Sequence, residues 1–517
     1  MSFPFHRLAG IAAAVCLAIV CSAVLADPQA STPAALAASI SRAGAPWPST
    51  SSTKPAAKGP KVFGSLRVRP EDWTWFQPKT PGMSNNHYAF TGSLLRLGLT
   101  GDMPYGNYTL EIAESTLLSV PHDAAESKPE SLGNFGPGAN YFAASGNRNS
   151  SLFLKQAFAT LDGSSPCDSL TLGRFEYFDG QETKPTDPSL NNLQQTRVAQ
   201  RLIGNFGYSD VERSFDGIKY THSDPGWNFT AMSVVPTVGV FTLLRDNDDI
   251  DLVKVDYAAL TLPQTSVSRP QVARIFGIYY SDDRPDTVKT DNRPLAVRTA
   301  DTASIRITTI GADYLRVFPE SAGKFDLVLW GADQTGHWGD QTQSAYAYDG
   351  ELGYQPRHMA WNPWLRGVYY VASGDNNPND GTHGTFFPIL PTPRIYARFP
   401  FYSETNLDDA FVELILRPST RSTVRVDAHD LRLNNSNDLW YQGGGAFEPT
   451  GNFGYAGTTS SGQSSLADLY DVSLDYKIST KSTMSFYYGY AVPGAVIKAL
   501  YTDHPATMGY AEWTQSI

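Results

Sequence analysis

Tyr470-Asp471-Val472-Ser473-Leu474-Asp475-Tyr476-Lys477-Ile478 alternates from end to end. Tyr, Val, Leu, Tyr and Ile fall on one side of an extended chain, and Asp, Ser, Asp and Lys on the other, because successive strand residues point to opposite faces. The next stretch repeats the pattern, with Met484, Phe486, Tyr488 and Tyr490 opposite Thr483, Ser485 and Gly489. Thr423 to Ala428 alternates in the same way, and Leu252 to Ala259 sets Val253, Val255 and Tyr257 opposite Lys254 and Asp256. A strand of this kind fits a soluble sandwich, whose apolar faces meet in a core. It fits a transmembrane barrel equally well, with the apolar face on lipid and the charged face on a wet lumen.

The rhythm of the connections separates the two. About 18 strand-like segments of roughly 10 to 14 residues, near the length of a tilted transmembrane strand, begin near residues 63, 88, 105, 151, 168, 213, 226, 250, 271, 303, 323, 343, 362, 405, 420, 466, 481 and 505. Short turns at 101–104, 163–166, 223–225, 263–270, 319–322, 357–361, 418–419 and 479–480 alternate with long polar gaps, notably 119–150, 179–212, 282–302, 374–404 and 433–465. Short periplasmic turns and long extracellular loops are the outer-membrane arrangement, and a sandwich has no reason to keep it. The pattern predicts an all-β fold: a transmembrane antiparallel barrel of about 18 strands. An even strand number leaves both chain ends on the periplasmic side.

The flanks agree. Arg7, the apolar run Leu8 to Val20 and the small-residue site Val24-Leu25-Ala26 read as a signal peptide over residues 1–26. Residues 27–60 are rich in Ala, Ser, Pro and Thr without a hydrophobic period, which predicts a disordered periplasmic leader. The barrel is expected over 61–517. Cys16 and Cys21 leave with the signal, so Cys167 stands alone and no disulfide framework or thiolate cluster is available. No later run approaches the roughly 20 apolar residues of a spanning helix. A net charge of −11 argues against a nucleic-acid partner. Trp73, Trp75, Phe76, Trp361, Trp364, Tyr369, Tyr370, Tyr487 and Trp513 lie near strand ends, where an interfacial aromatic girdle is expected.

Three segments also carry a resemblance. Leu172-Gly173-Arg174-Phe175-Glu176-Tyr177-Phe178-Asp179-Gly180 and Arg213-Ser214-Phe215-Asp216-Gly217-Ile218 resemble motifs of the alginate-export family. Ala372-Ser373-Gly374-Asp375-Asn376-Asn377-Pro378-Asn379-Asp380-Gly381, with Thr385-Phe386-Phe387-Pro388 and Pro391-Thr392 after it, is similar to a loop of the same family. The likeness runs in order from about residue 62 to the end. It implies an 18-stranded outer-membrane barrel that passes an anionic polysaccharide to the cell exterior. The chain departs from the pattern in ending on Ile517 rather than an aromatic residue, and in mixing both signs of charge where alginate exporters have a positive constriction.

An 18-stranded barrel is wide enough to hold an aqueous channel, and conduction requires a lined pore rather than reaction chemistry. The substrate-binding candidates on polar faces are Arg67, Arg69, Arg96, Lys155, Arg174, Glu176, Lys219, Lys254, Arg306, Arg366 and Arg425, with Arg417 beside them. An Arg fork suits the carboxylates of a uronate polymer. Glu111, Asp256, Glu413, Asp427, Asp471 and Asp475 share those faces, so structural pairing between neighbouring strands is the competing reading. The long loops can fold inward and narrow the pore. Asp375, Asn377, Asn379 and Asp380 have a calcium-like spacing but lack the required glycine and distal Glu, and a turn-rich loop is the better reading. Zinc, nucleophile-elbow and phosphate-loop motifs are absent, and isolated residues such as His337 and His429 read as ordinary polar groups. The expectation is therefore no enzyme, no cofactor and no metal. It is a passive channel for an anionic polysaccharide, with a general porin for small polar solutes or a structural barrel as alternatives. Its expected partners are outer-membrane lipid and periplasmic secretion components.

Overall fold

The computed structural model describes residues 59–517 except 78, 80–85, 121–147, 241, 244–247, 265–269, 286 and 443–455. The expected signal peptide and nearly all of the leader lie outside the described residues. The chain forms β1 (Lys61–Thr74), β2 (His87–Met103), β3 (Gly106–Leu118), β4 (Ser150–Asp162), β5 (Asp168–Phe175) and β6 (Phe215–Ser223). It continues through β7 (Asn228–Pro236), β8 (Val253–Gln264), β9 (Gln271–Asp282), β10 (Ile305–Pro319), β11 (Gly323–Trp338) and β12 (Gln341–Pro356). The last six are β13 (Trp364–Ala372), β14 (Leu407–Leu416), β15 (Ser422–Arg432), β16 (Ser465–Lys477), β17 (Ser482–Pro493) and β18 (Ala506–Ser516). Each begins within three residues of the position expected from the alternation.

Every strand pairs antiparallel with its neighbour, and β1 closes on β18 with Val68 opposite Trp513 and Trp73 opposite Met508. Closure leaves no unpaired edge, which is what a sheet in lipid requires. One rim carries short turns and the other long loops. The exception is Gly339-Asp340 between β11 and β12, a two-residue hairpin in which Gly339 takes φ +62° at the first central position. Among the described residues no helix is long and apolar enough to cross a membrane.

The outer face is apolar and bare. Leu365 and Tyr369 are about half exposed, while the alternating residues Trp364, Arg366, Val368 and Tyr370 are buried. Val426, Tyr470, Val472, Phe486 and Tyr488 are exposed in the same way. In water such a surface would be a liability, and against acyl chains it is a match. The aromatic girdle is thinner than expected. Trp361 and Tyr369 are exposed, but Trp73, Trp75, Phe76, Trp364, Tyr370 and Tyr487 are buried and serve the interior.

The interior is not a simple wet lumen. Residues 176–214 and 373–406 fold into it and join through a parallel bridge between Ile203 and Leu390. Phe386, Phe387, Ile389 and Leu390 are fully buried there, against Tyr280 and Trp338 of the wall. That packing reverses the expected facing of β8. Val253, Val255 and Tyr257 are buried and face inward, leaving Lys254 and Asp256 outside. Apolar side chains go wherever water is excluded, and at this height the infolded loops exclude it from the inside.

Candidate functional site: the loop-filled lumen

The infolded segment 176–214 leaves the wall early because β5 has only 8 residues. Its first turn is organised by Asp179, whose carboxylate accepts the backbone N–H groups of Leu202 and Ile203. A short helix, α1 (Pro188–Leu193), follows. Asp187 caps it by accepting the Leu190 N–H at 2.9 Å, and Pro188 opens it with a fixed φ. Ser189 and Asp187 reach Gln355 and Lys324, at the short-turn ends of β12 and β11. The segment therefore reaches from mid-wall to the short-turn rim. A cavity of about 590 Å³ lies beside it at the short-turn rim, lined by Glu182 to Leu190 and by Ser223–Pro225, Pro263 and Pro270.

Charge pairs hold the segment to the wall. Arg67 meets Asp210 at 3.2 Å and donates to the carbonyls of Gly207 and Ser209. Arg69 binds Glu71 at 2.6 Å and Glu512 at 3.1 Å, with Asp210 at 3.7 Å. Gly92 makes this approach possible, since a Cβ there would lie 1.9 Å from an Asp210 carboxylate oxygen. Arg96 sits among Glu111, Glu176 and Glu212 at 2.8–2.9 Å. Lys155, in a bulge of β4, meets Glu176 and Glu212 at 3.1 Å. Arg274 binds Asp313 of the wall at 2.6 Å and faces Asp179 and Glu182 of the segment.

At β12 the sense reverses. Arg197 and Arg201, one helical turn apart in the segment, reach Glu351 at 2.8 Å and Asp349 at 3.2 Å on β12. Arg201 also faces Glu404 of the second infolded segment at 3.1 Å. Arg366 joins the same cluster through Asp326 and Glu351, and Arg425 binds Glu413 at 3.0 Å. Desolvation marks the loop groups. Burial pushes Asp179 up to about 6 and Glu404 up to about 7, against the pull of Arg274 and of Arg201 respectively. Burial alone brings Arg213 down to about 9. Such pairs are costly to break one member at a time, about 3–5 kcal/mol, because the survivor is left charged and dry.

The sequence candidates divide accordingly. Arg67, Arg69, Arg96, Lys155, Glu176, Lys219, Arg366 and Arg425 face the interior. Lys219 lies over the rings of Phe175 and Tyr177 rather than in an ion pair among the described residues. Arg417 follows β14 at the short-turn rim, over Trp364. Three candidates face outward. Arg174 shares the face of exposed Leu172 and Ile218, and binds Asp216 at 2.5 Å. Lys254 pairs with Asp256, and Arg306, on the face of exposed Ile310, pairs with Asp283. The assumption of one polar, inward face failed for Lys254 and Arg306 because the loop core is apolar at their height. It failed for Arg174 because the chain turns inward only after Phe175, which carries Glu176 into the lumen and leaves Arg174 on the wall.

Sequence reasoning passed over Arg197, Arg201, Asp210, Glu212, Arg274, Asp349 and Glu351. The spacing of Asp349 and Glu351 on one face of a strand was a usable signal, and so was the charge density of 179–212. Asp375 and Asn377 form successive side-chain turns, accepting the N–H groups of Asn377 and Asn379, as the turn-rich reading expected.

A family model described as alginate export matches residues 148–511. No curated protein matches the sequence. Among solved structures, a BenF-like porin from Pseudomonas fluorescens Pf-5 is similar with a TM-score of 0.55 at 7% identity, covering 89% of this chain and 98% of that one. Pseudomonas aeruginosa OccK9 (OpdG) gives 0.53 at 11% identity, covering 88% and 98%. Acinetobacter baumannii OccAB3 gives 0.51 at 10% identity, covering 89% and 99%. At these identities the likeness is one of fold.

Proposed function

The chain belongs to the alginate export family and closes as an outer-membrane channel barrel, and from that premise we propose that its cargo is an anionic, alginate-like polysaccharide passing outward without energy input. The reading is carried by the sense of the pairs on one side of the lumen. There the cations Arg67, Arg69, Arg96 and Lys155 stand on β1, β2 and β4, and beside the wall carboxylates Glu71, Glu111 and Glu512 they meet Glu176, Asp210 and Glu212 of the infolded segment. A polyuronate carries the same group repeated along a chain. It can take the place of the segment's carboxylates one at a time without leaving a wall cation bare. Exchange of like for like keeps each site shallow, as conduction through repeated weak contacts requires. Arg197 and Arg201 keep the other side of the segment anchored to Asp349 and Glu351. Lipid covers the outer face, and periplasmic secretion components are the expected partners at the short-turn rim.

A general porin for small polar solutes is the second reading, favoured by the balance of the lumen, where most inward cations already have a carboxylate partner. Planar-bilayer conductance under a salt gradient, repeated with soluble polyuronate, separates the two. Anion-selective reversal and block by the polymer support polysaccharide export, with block weakened in Arg96→Gln. Steady, weakly selective conductance without block points to the porin. Absence of conductance in a folded barrel rejects both and leaves a structural role.

A further inference from the structure

Asp427 and Asp471 stand directly opposite one another on β15 and β16, and His429 is the next inward residue after Asp427. All three are buried, and their ligand atoms lie within 4.8 Å of one another. Arg425, the preceding inward residue, is committed to Glu413 and forms no ion pair with Asp427 among the described residues. Asp471 accepts a hydrogen bond from the Tyr487 hydroxyl at 2.6 Å. Asp427 Oδ1 and His429 Nε2 have no hydrogen-bond partner among the described residues.

The histidine is held from behind, on the side away from the two carboxylates. Its Nδ1 lies 3.0 Å from both Asp409 oxygens, and its ring stacks on Phe411 at 4.3 Å. Asp409 is fixed in turn by the Tyr402 hydroxyl. In the neutral tautomer that donates Nδ1–H to Asp409, the imidazole presents a lone pair at Nε2. That lone pair shares a small buried space with two carboxylates, so acceptor faces acceptor. A cation among the three resolves the repulsion and serves every unpartnered atom at once.

We propose that Asp427, His429 and Asp471 form a binding site for one divalent transition-metal ion of the zinc class. A nitrogen ligand with two carboxylates suits zinc and its congeners, whereas calcium takes six to eight oxygens. The carboxylate behind the histidine is the usual outer partner that orients a metal-binding imidazole. A lumen water supplies the remaining position. The ion ties β15 to β16 on the inner face and cancels the two carboxylate charges beside it.

The test uses the mature barrel in detergent, stripped with a chelator and titrated with Co2+, whose visible absorption intensifies in a low-coordinate site. One saturable site per chain is expected, displaced by a single equivalent of Zn2+. His429→Ala and Asp427→Asn should each weaken binding at least tenfold, and Asp409→Asn should weaken it about 10–100-fold while leaving the spectrum's shape. His337→Gln, at an exposed position, should change nothing. Absence of a saturable spectrum in the wild-type barrel overturns the proposal without reference to any variant. Equal affinity in the nearly isosteric Asp427→Asn also overturns it, even if His429→Ala fails to fold.

Discussion

Strands β15–β16 and β8–β10 carry the same alternating sequence signature and use it in opposite senses. In β15 and β16 the apolar residues Val426, Tyr470 and Val472 look outward, and Arg425, Asp427, His429 and Asp471 look inward. In β8 to β10 the apolar residues Val253, Val255, Phe276, Ile278, Tyr280, Ile305 and Ile307 look inward and are at most 5% exposed. Their outer face mixes Lys254, Asp283 and Arg306, towards the long-loop rim, with exposed Ile275, Tyr279 and Ile310. The difference lies in what fills the lumen beside each strand. Near β8–β10 the infolded loops bring Phe386, Phe387 and Leu390, and the wall becomes one side of a dry core. Alternation thus says that a strand separates two media, and the neighbouring loops decide which medium is which.

The largest test of that contrast is Phe387→Ala. The ring is fully buried and meets Tyr280 and Trp338 edge-on at 5.1 and 5.4 Å. Truncating such an aromatic costs about 3–5 kcal/mol, to be read as a lowered urea midpoint of the refolded barrel. A loss below about 0.5 kcal/mol, the level of an ordinary surface change, would mean that the loops are not docked on β9 and β11. Next comes a charge on each outer face. Val426→Arg should destabilise by about 2–4 kcal/mol, the cost of a cation on the lipid face near mid-bilayer. Ser281→Asp should cost nothing and gain up to about 1 kcal/mol, because Ser281 lies directly across from both Lys254 and Arg306. Equal penalties at the two sites would erase the distinction between the faces.

The loop core also gives the comparison a pH dependence. Glu404 belongs to the segment that supplies this core, and burial raises its carboxyl to about 7 while Arg201 and Arg197 oppose the rise and Asp409 and Asp179 add to it. A carboxyl that holds its proton more tightly when docked than when free stabilises docking fully below its free value, near 4. That contribution is lost as pH rises towards 7. Channel opening in bilayers should therefore increase from pH 5 to pH 8 in the wild type relative to Glu404→Gln, which has no proton to lose. Parallel pH profiles in the two proteins would remove Glu404 from the docking of the loops.

The barrel was legible because its determinants are local. Period-two alternation and turn residues are properties of neighbours in sequence, and they located every strand of the barrel wall, though not the small hairpin of Leu439–Gln442 and Ala456–Thr459 in the 433–465 gap. The site was legible only in part. Arg67, Arg69, Arg96, Lys155 and Glu176 were found because they stand on, or just beyond, recognisable strands. Their partners Asp210 and Glu212 lie in a segment without period, and what places them is wall far away in sequence, Arg67 for Asp210 and Arg96 and Lys155 for Glu212. Gly92, the residue that admits Asp210, looks like any strand glycine until the loop is in place. Lys254 and Arg306 were assigned to the lumen by the same rule that succeeded for Arg425, since nothing in their own strands announces Phe387.

The smallest expected effects fall on those reassigned residues. Lys254 and Arg306 sit in exposed ion pairs, each more than half open to solvent, with Asp256 and Asp283 at 3.0 Å. Removing either should change stability by no more than about 1 kcal/mol, as exposed pairs generally do. Neither side chain reaches the lumen, so Lys254→Ala and Arg306→Ala should leave the reversal potential in a salt gradient where it stands. Arg425→Ala should move it towards cations, because that guanidinium is inward, partly open, and otherwise balances Glu413. The three measurements share one apparatus and one buffer, so they compare directly. A shift with Lys254→Ala as large as that with Arg425→Ala would put Lys254 on the conducting path and return β8 to the facing its sequence first suggested.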